Sequence, residues 1–264
     1  MTEFWRSAAM PQLEARRSCK ENSCYRRHAH ETFSLGVIET GTGTSLFTGG
    51  SRSTVQLRPG DVIAIPAGHV HACNPEDGRW RYRMIHADER WAASLLPERA
   101  SGAPFDAIGV WRQPGVHRTV MHWSEQLFAG APLERVELGL RRVLTALRAA
   151  PPRRRLARDN DSELLARLAP AMARLQRDAA NPRLEELARS AGMTKYQLVR
   201  AMGAATGLAP LAWRQNARIV RARQLLRAGE SIANTAYELG FTDQSHFHRV
   251  FRAHVAASPG EYRG

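Results

Sequence analysis

SIANTAYELGFTDQSHFHRVF, residues 231–251, states a pattern that the chain also carries once before. LEELARSAGMTKYQLVRAM, residues 184–202, shares its frame: Ala188 and Gly192 recur as Ala236 and Gly240, and Leu198 and Arg200 recur as Phe247 and Arg249. The second copy has one extra residue in its turn. Each copy reads as a short helix, a tight turn at the glycine and a second helix. The small alanine lets the second helix cross closely, and glycine supplies the positive φ of the turn. Thr194 with Gln197 has the form of a capping box, and Thr242 or Asp243 can cap the second copy. One helical hairpin of this kind is a weak signal. Two in register specify helix-turn-helix units.

The faces of the second helices carry the chemistry. In 244–254, Phe247, Val250, Phe251 and His254 follow the spacing of a buried stripe, which leaves Gln244, Ser245, His248, Arg249 and Arg252 on the other side. Arginine can donate a bidentate pair to guanine, glutamine can pair with adenine, and serine or histidine can reach base edges or phosphates. Lys195, Tyr196, Val199 and Arg200 lie on the matching face of the first copy. A merely solvated face would mix Glu with Lys, and this one has no carboxylate beyond the cap Asp243. The eight residues Lys195, Tyr196, Val199, Arg200, Gln244, Ser245, His248 and Arg249 are therefore the expected DNA contacts.

Charge agrees. The 264 residues have a formal net charge of +13 and a pI near 10.9, which favours a polyanionic partner. Residues 1–152 hold 19 basic and 15 acidic side chains, whereas the shorter stretch 153–264 holds 19 and 10, so the excess concentrates where the duplication lies. Only Lys20 and Lys195 among the 38 basic residues are lysine; an arginine-rich genome style explains part of the excess but not its placement. Cys19, Cys24 and Cys73 are odd in number and form no CxxC, so no disulfide framework is implied. With no signal pattern at MTEFWRSAAM and no long apolar run, a cytoplasmic protein without a membrane partner is expected.

Residues 25 to about 90 read as short strands, such as FSLGVIE, STVQLR and DVIAIP, separated by glycine-rich turns. A small barrel or sandwich follows. From about 117 to 149 the pattern becomes helical. Leu133, Val136, Leu140, Val143 and Leu147 form a seam, with Leu144 beside it, that serves either packing on the chain's own barrel or a dimer contact. PPRRRLARDND, 151–161, reads as a linker. The expected fold is α+β multidomain: residues 1–150 as a β-barrel with helices, the linker, and 162–264 as an all-α domain with two helix-turn-helix units.

LEELARSAGMTKYQLVR, ATGLAPLAWRQNARIVRARQLL, SIANTAYELGFTDQSHFHRVFR and SPGEYR resemble the DNA-binding domain of the AraC/XylS family of transcription regulators over about residues 162–263. The resemblance implies two helix-turn-helix units joined by a long central helix, about 209–228, with recognition helices entering successive major grooves. It implies a regulator, by family habit an activator. Expected partners are double-stranded DNA, a small-molecule effector, a second copy of the chain and RNA polymerase. The chain departs from the family pattern at Met202, Gly203 and Ala256, and Pro170 suggests a kink in the first helix of the domain.

HAHETFSLGVIETG, 28–41, and GDVIAIPAGHVHACN, 60–74, resemble the two cupin motifs. His28 and His30 alternate onto one strand face and His71 follows a turn. In metal cupins an HxH pair, a Glu and a later His bind a divalent ion. Here Ser34 holds the Glu position and Glu31 points to the opposite face of a regular strand; Cys73 and Cys24 share the parity of the histidines and could substitute. The missing Glu favours a metal-free polar pocket, with His28, His30 and His71 as effector-binding residues and no cofactor. The alternative is a metal-dependent cupin enzyme with a DNA-binding tail. With no Ser/His/Asp order, phosphate loop or HExxH, the regulator is preferred over the enzyme.

Overall fold

The computed structural model describes residues 2–21, 25–48, 54–97, 104–157, 161–178 and 181–264. Among the described residues eight strands form: β1 (Thr2–Arg6), β2 (Leu13–Glu21), β3 (Phe33–Thr48), β4 (Thr54–Leu57), β5 (Val62–Ile65), β6 (His71–Ala87), β7 (Ala107–Trp111) and β8 (Arg154–Ala157). All pair antiparallel in one sheet of order β1-β2-β6-β3-β5-β7-β8, with β4 on the outer part of β3.

Period-2 geometry sorts the strand residues onto two faces. Leu13, Ala15, Phe33, Leu35, Val37, Val62, Ala64, Ile85 and Ala87 share one core with helices α2 (Pro114–Phe128) and α3 (Leu133–Ala149). Their neighbours in sequence, among them Ile38, Ile63, Ile65, Trp80 and Tyr82, pack on the opposite, inner face. A short helix, α1 (Glu89–Ser94), follows β6 and is capped by Asp88. Along the α3 seam, Val136, Leu140, Val143, Leu144 and Leu147 are buried in the chain's own core, and Leu133 packs against it partly buried.

The α2–α3 contact turns on one glycine. Trp123 lies in the core with its indole N–H donating to the Val136 carbonyl at 2.8 Å. A Cβ at Gly139 would stand 2.2 Å from the Trp123 ring. Since that ring is enclosed, Gly139→Ala is expected to destabilise the fold by about 1–3 kcal/mol through overpacking, read as a lower denaturation midpoint with an unchanged slope.

Part of the segment read as a linker is sheet instead. Arg154–Ala157 pairs with β7, and Leu156 packs on the inner core. Pro151 and Pro152 end the helical stretch as expected, but the open edge of β7 offers unpaired backbone groups that the next four residues satisfy. Residues 158–160 of that stretch lie outside the described residues.

The second half is helical: α4 (Ser162–Arg177), α5 (Leu184–Ser190), α6 (Lys195–Thr206), α7 (Pro210–Arg227), α8 (Ile232–Glu238), α9 (Gln244–Val255) and α10 (Pro259–Arg263). Pro170 lies inside α4, which runs through it as one helix. The missing N–H costs one main-chain bond, and burial of Leu168, Ala171 and Leu175 holds the helix together. The two halves have separate cores, one around Leu198 and Met202 and one around Phe247 and Phe251, and α7 reaches both.

Candidate functional site

The duplicated hairpins form as the sequence dictates. α5 turns into α6 at Gly192, φ 64°, and α8 into α9 at Gly240, φ 67°, while Ala188 and Ala236 are buried at the crossings. Thr194 and Gln197 complete the capping box, and Asp243, not Thr242, caps α9 by accepting from the His246 N–H at 2.6 Å. Leu198 and Phe247 point inward and are fully buried, which turns Tyr196, Val199 and Arg200, and Gln244, Ser245 and Arg249, out to solvent.

Among the described residues Arg200 and Arg249 have no ion-pair partner, so their guanidiniums are available for base edges or phosphate. Two expected contacts differ in kind. Lys195 is held by Glu185 at 3.3 Å and lies over the Tyr196 ring, so its charge is partly spent on α5. His248 is only half-exposed, and its Nε2 is buried without a partner.

The second site lies where the two halves meet. The end of the inner sheet face is polar: Glu14 and Arg16 from β2, Ser34 from β3 and His86 from β6 point there instead of into the inner core. Against this end pack α7, the end of α9 and α10. Glu14 is the centre of the seam, 2 % exposed, and its carboxylate accepts from Arg6 Nε at 2.9 Å, Arg223 at 3.1 Å and the Tyr262 hydroxyl at 2.9 Å. Burial alone would raise its pKa, but the Arg223 guanidinium, the His86 ring beside it, the Arg6 guanidinium and the Tyr262 hydrogen bond outweigh this and hold it at about 2. Arg16 donates to the Val255 carbonyl, Asn216 accepts from the Ala29 N–H at 3.0 Å, and Arg227 donates to the Pro11 carbonyl at 2.6 Å.

The cupin-motif histidines sit in this seam. His28 and His71 form an isolated antiparallel bridge, with main-chain bonds of 3.0 and 2.9 Å, that sets their rings 4.6 Å apart. The His30 ring is 4.7 Å from that of His28 and 5.1 Å from that of His71. Burial, reinforced by neighbouring histidine and arginine groups, pushes the pKa values of His28, His30 and His86 well below the usual range, and burial, opposed by the hydrogen bond to the His69 carbonyl and aided by the His69 ring, takes His71 to about 4. All four imidazoles are neutral near pH 7.

The predicted trio is therefore brought together. The role open to Cys73 is not supported: it packs in the inner core, where burial lifts its thiol pKa to about 12. Cys24 lies outside the described residues. Ser34, in place of Glu, bonds His86 Nδ1 at 2.9 Å, and Glu31 accepts from Gln224 of α7 at 2.7 Å.

Glu14, Arg16, His86, Arg223 and Tyr262 were not singled out from the sequence. The available signal was Glu14 and Arg16 alternating with apolar Leu13 and Ala15, but a charged strand face usually means solvent. A cavity of about 20 Å³ remains between Glu14, His28, His30, His86 and Arg223. A larger groove of about 500 Å³, lined by His30, Trp213, Asn216 and Gln224, opens beside it. Ala256 ends α9 in the left-handed region at φ 55°, where the family carries glycine; its buried methyl offsets the backbone cost of about 1–2 kcal/mol.

Comparison with known proteins accords with this geometry. Residues 11–147 match the AraC-like ligand binding domain, and residues 187–264 match a helix-turn-helix domain. The transcriptional activator RhaS of Escherichia fergusonii is 32 % identical over 251 residues, covering 89 % of this chain and 86 % of that one. The arabinose operon regulatory protein of Salmonella typhimurium is 29 % identical over 230 residues, with 78 % and 75 % covered. ToxT of Vibrio cholerae shares the fold across 96 % of this chain and 97 % of its own, at a TM-score of 0.59 and 13 % identity. A sheet domain of the ligand-binding type, followed by two helix-turn-helix units on one long helix, makes this chain a member of the AraC family of transcriptional regulators.

Proposed function

We propose that this regulator activates transcription as a cytoplasmic homodimer that contacts RNA polymerase, and that the polar seam is the joint through which an effector controls it. The carrying observation is the buried Glu14 carboxylate, which ties the sheet to α7 and α10 through Arg223 and Tyr262. A ligand entering the seam, at His28, His30 and His71, must disturb those ties or complete them, so it binds the docked and undocked arrangements with different affinity. That difference is the source of control. Lys195, Tyr196, Val199 and Arg200 of α6 and Gln244, Ser245, His248 and Arg249 of α9 are the DNA contacts, with Arg249 the principal reader. Residues 1–150 form the sensor and 162–264 the DNA-binding domain.

The relatives that match most of this chain are a transcriptional activator and an operon regulatory protein, and we assign the chain no catalytic activity. No helix among the described residues is long and apolar enough to cross a membrane. The reading is tested by incubating the full chain with fragmented genomic DNA at moderate salt and sequencing the bound fraction. Enriched sites carrying two half-sites about 10–10.5 base pairs apart are expected, since the two recognition helices enter successive turns. Recovery no better than random competitor would sink it.

A further inference from the structure

The histidine trio has the parts of a metal site. One ring nitrogen each from His28, His30 and His71 lies within 4.8 Å of the others. Ligands at 2.0–2.1 Å from a tetrahedral ion stand about 3.4 Å apart, a closure that small side-chain rotations supply. Two of the rings are already oriented. His28 Nδ1 donates to the Arg26 carbonyl at 2.7 Å and His71 Nδ1 to the His69 carbonyl at 3.0 Å, so on both rings Nε2 keeps its lone pair. Carbonyl acceptors behind the ring are the usual means of orienting a metal-binding histidine.

The third histidine is otherwise engaged. Its Nδ1 faces an N–H of Arg223 at 3.3 Å, and because arginine only donates, His30 accepts there. Binding an ion through Nδ1 would take the lone pair that Arg223 uses. Binding through Nε2 would require a proton on Nδ1, setting N–H against N–H. Either choice breaks the tie to α7. We propose that His28, His30 and His71 bind a late first-row divalent cation such as Zn2+ or Ni2+, and that its binding and the Arg223–His30 contact exclude each other.

The cavity lined by His28 and His30 agrees in size. At about 20 Å³ it holds on the order of one water, room for an ion's water ligand. An all-imidazole donor set selects zinc, copper or nickel over magnesium or calcium. The dication also repels Arg223 directly, with Glu14 as the one carboxylate lining the cavity among the described residues, so the ion favours release of α7 from the sheet. By linkage, undocking favours the ion. This departs from the metal-free expectation drawn from the missing cupin Glu: three histidines and water make a complete site without it.

The regulatory part of the inference rests on the seam being the joint proposed above; the site itself does not. Full-length protein titrated calorimetrically with Zn2+ or Ni2+ is expected to bind one ion per chain and to give no heat with Mg2+. His71→Gln and His30→Gln should each weaken binding at least tenfold, with the far-ultraviolet circular dichroism of both variants checked against wild type. His30 lies at the rim of the seam, so its variant keeps the test open if His71→Gln folds poorly. Arg223→Met should bind the ion more tightly, several-fold or more, because no contact has to be broken.

Absence of saturable one-to-one binding, or undiminished binding in His30→Gln, would overturn the site. Unchanged or weaker binding in Arg223→Met would overturn the exclusion. An ion that binds as expected while operator affinity stays constant would support the site and count against the seam as the joint.

Discussion

Glu14→Gln is expected to release the DNA-binding domain from the sheet. The substitution keeps shape and one acceptor for Tyr262, but it leaves the Arg6 and Arg223 guanidiniums, 23 % and 12 % exposed, without their counter-charge. Removing one partner of a buried ion pair costs roughly 3–5 kcal/mol, because the other charge stays buried. Some of this is recovered as Arg223 turns to solvent, so a docking loss of about 2–3 kcal/mol is expected, a change of order 10²-fold in the docked-to-undocked ratio.

Small-angle scattering on the full chain would show this as a larger radius of gyration, with secondary structure unchanged. Operator affinity without effector should rise, and expression from the target promoter should become effector-independent. An unchanged radius of gyration and unchanged affinity would remove Glu14 from its central place.

The pH dependence has a fixed sign. In the folded chain the Glu14 carboxyl is held at about 2, below its ordinary 4.5, so its contribution is complete above pH 4.5 and drains away as pH falls toward 2. Between pH 5 and 8, Glu14 should therefore contribute a constant amount, and the variant should differ from wild type by the same factor throughout that range.

The second large effect is expected at Arg249→Ala. Phe247, Val250 and Phe251 fix the rotation of α9 by packing inward, and Arg249 is left on the outer face with no ion-pair partner among the described residues. A guanidinium in that position can donate two parallel bonds to a guanine, and losing such a pair costs about 1–3 kcal/mol at that base. Binding to a panel of operator variants should show preference lost at one base pair and retained elsewhere. A uniform loss across all sequences, with a shallower salt dependence, would make Arg249 a phosphate contact. Lys195 offers a contrast: with Glu185 already beside it, Lys195→Ala should change operator binding less than Arg200→Ala does.

How much of this was legible in the residues follows from the range of the forces involved. Thr194–Gln197, Asp243, Gly192 and Gly240 act within one turn of chain, so caps and turns were read close to where they form. The buried stripes of α6 and α9 were equally local, and with them the exposed faces of the two recognition helices. Asp243 over Thr242 was decided by geometry at a single turn. The β8 strand escaped because its residues are basic and follow two prolines; only the open edge of β7, more than forty residues earlier, makes them a strand. Pro170 escaped in the opposite sense, since burial of Leu168, Ala171 and Leu175 kept a helix where local chemistry disfavoured one.

The sequence by itself settled the two-domain plan, the twin helix-turn-helix units and the grouping of His28, His30 and His71, because alternation, helical periodicity and glycine turns are written in neighbouring residues. Only the tertiary structure decided that the histidines face the DNA-binding domain, and that Glu14 meets Arg223 and Tyr262 across 209 and 248 positions of chain. A carboxylate on a strand looks the same in sequence whether it meets water or a buried guanidinium. Docking of the two domains removes the water, and with it the screening that would otherwise make those charges unimportant.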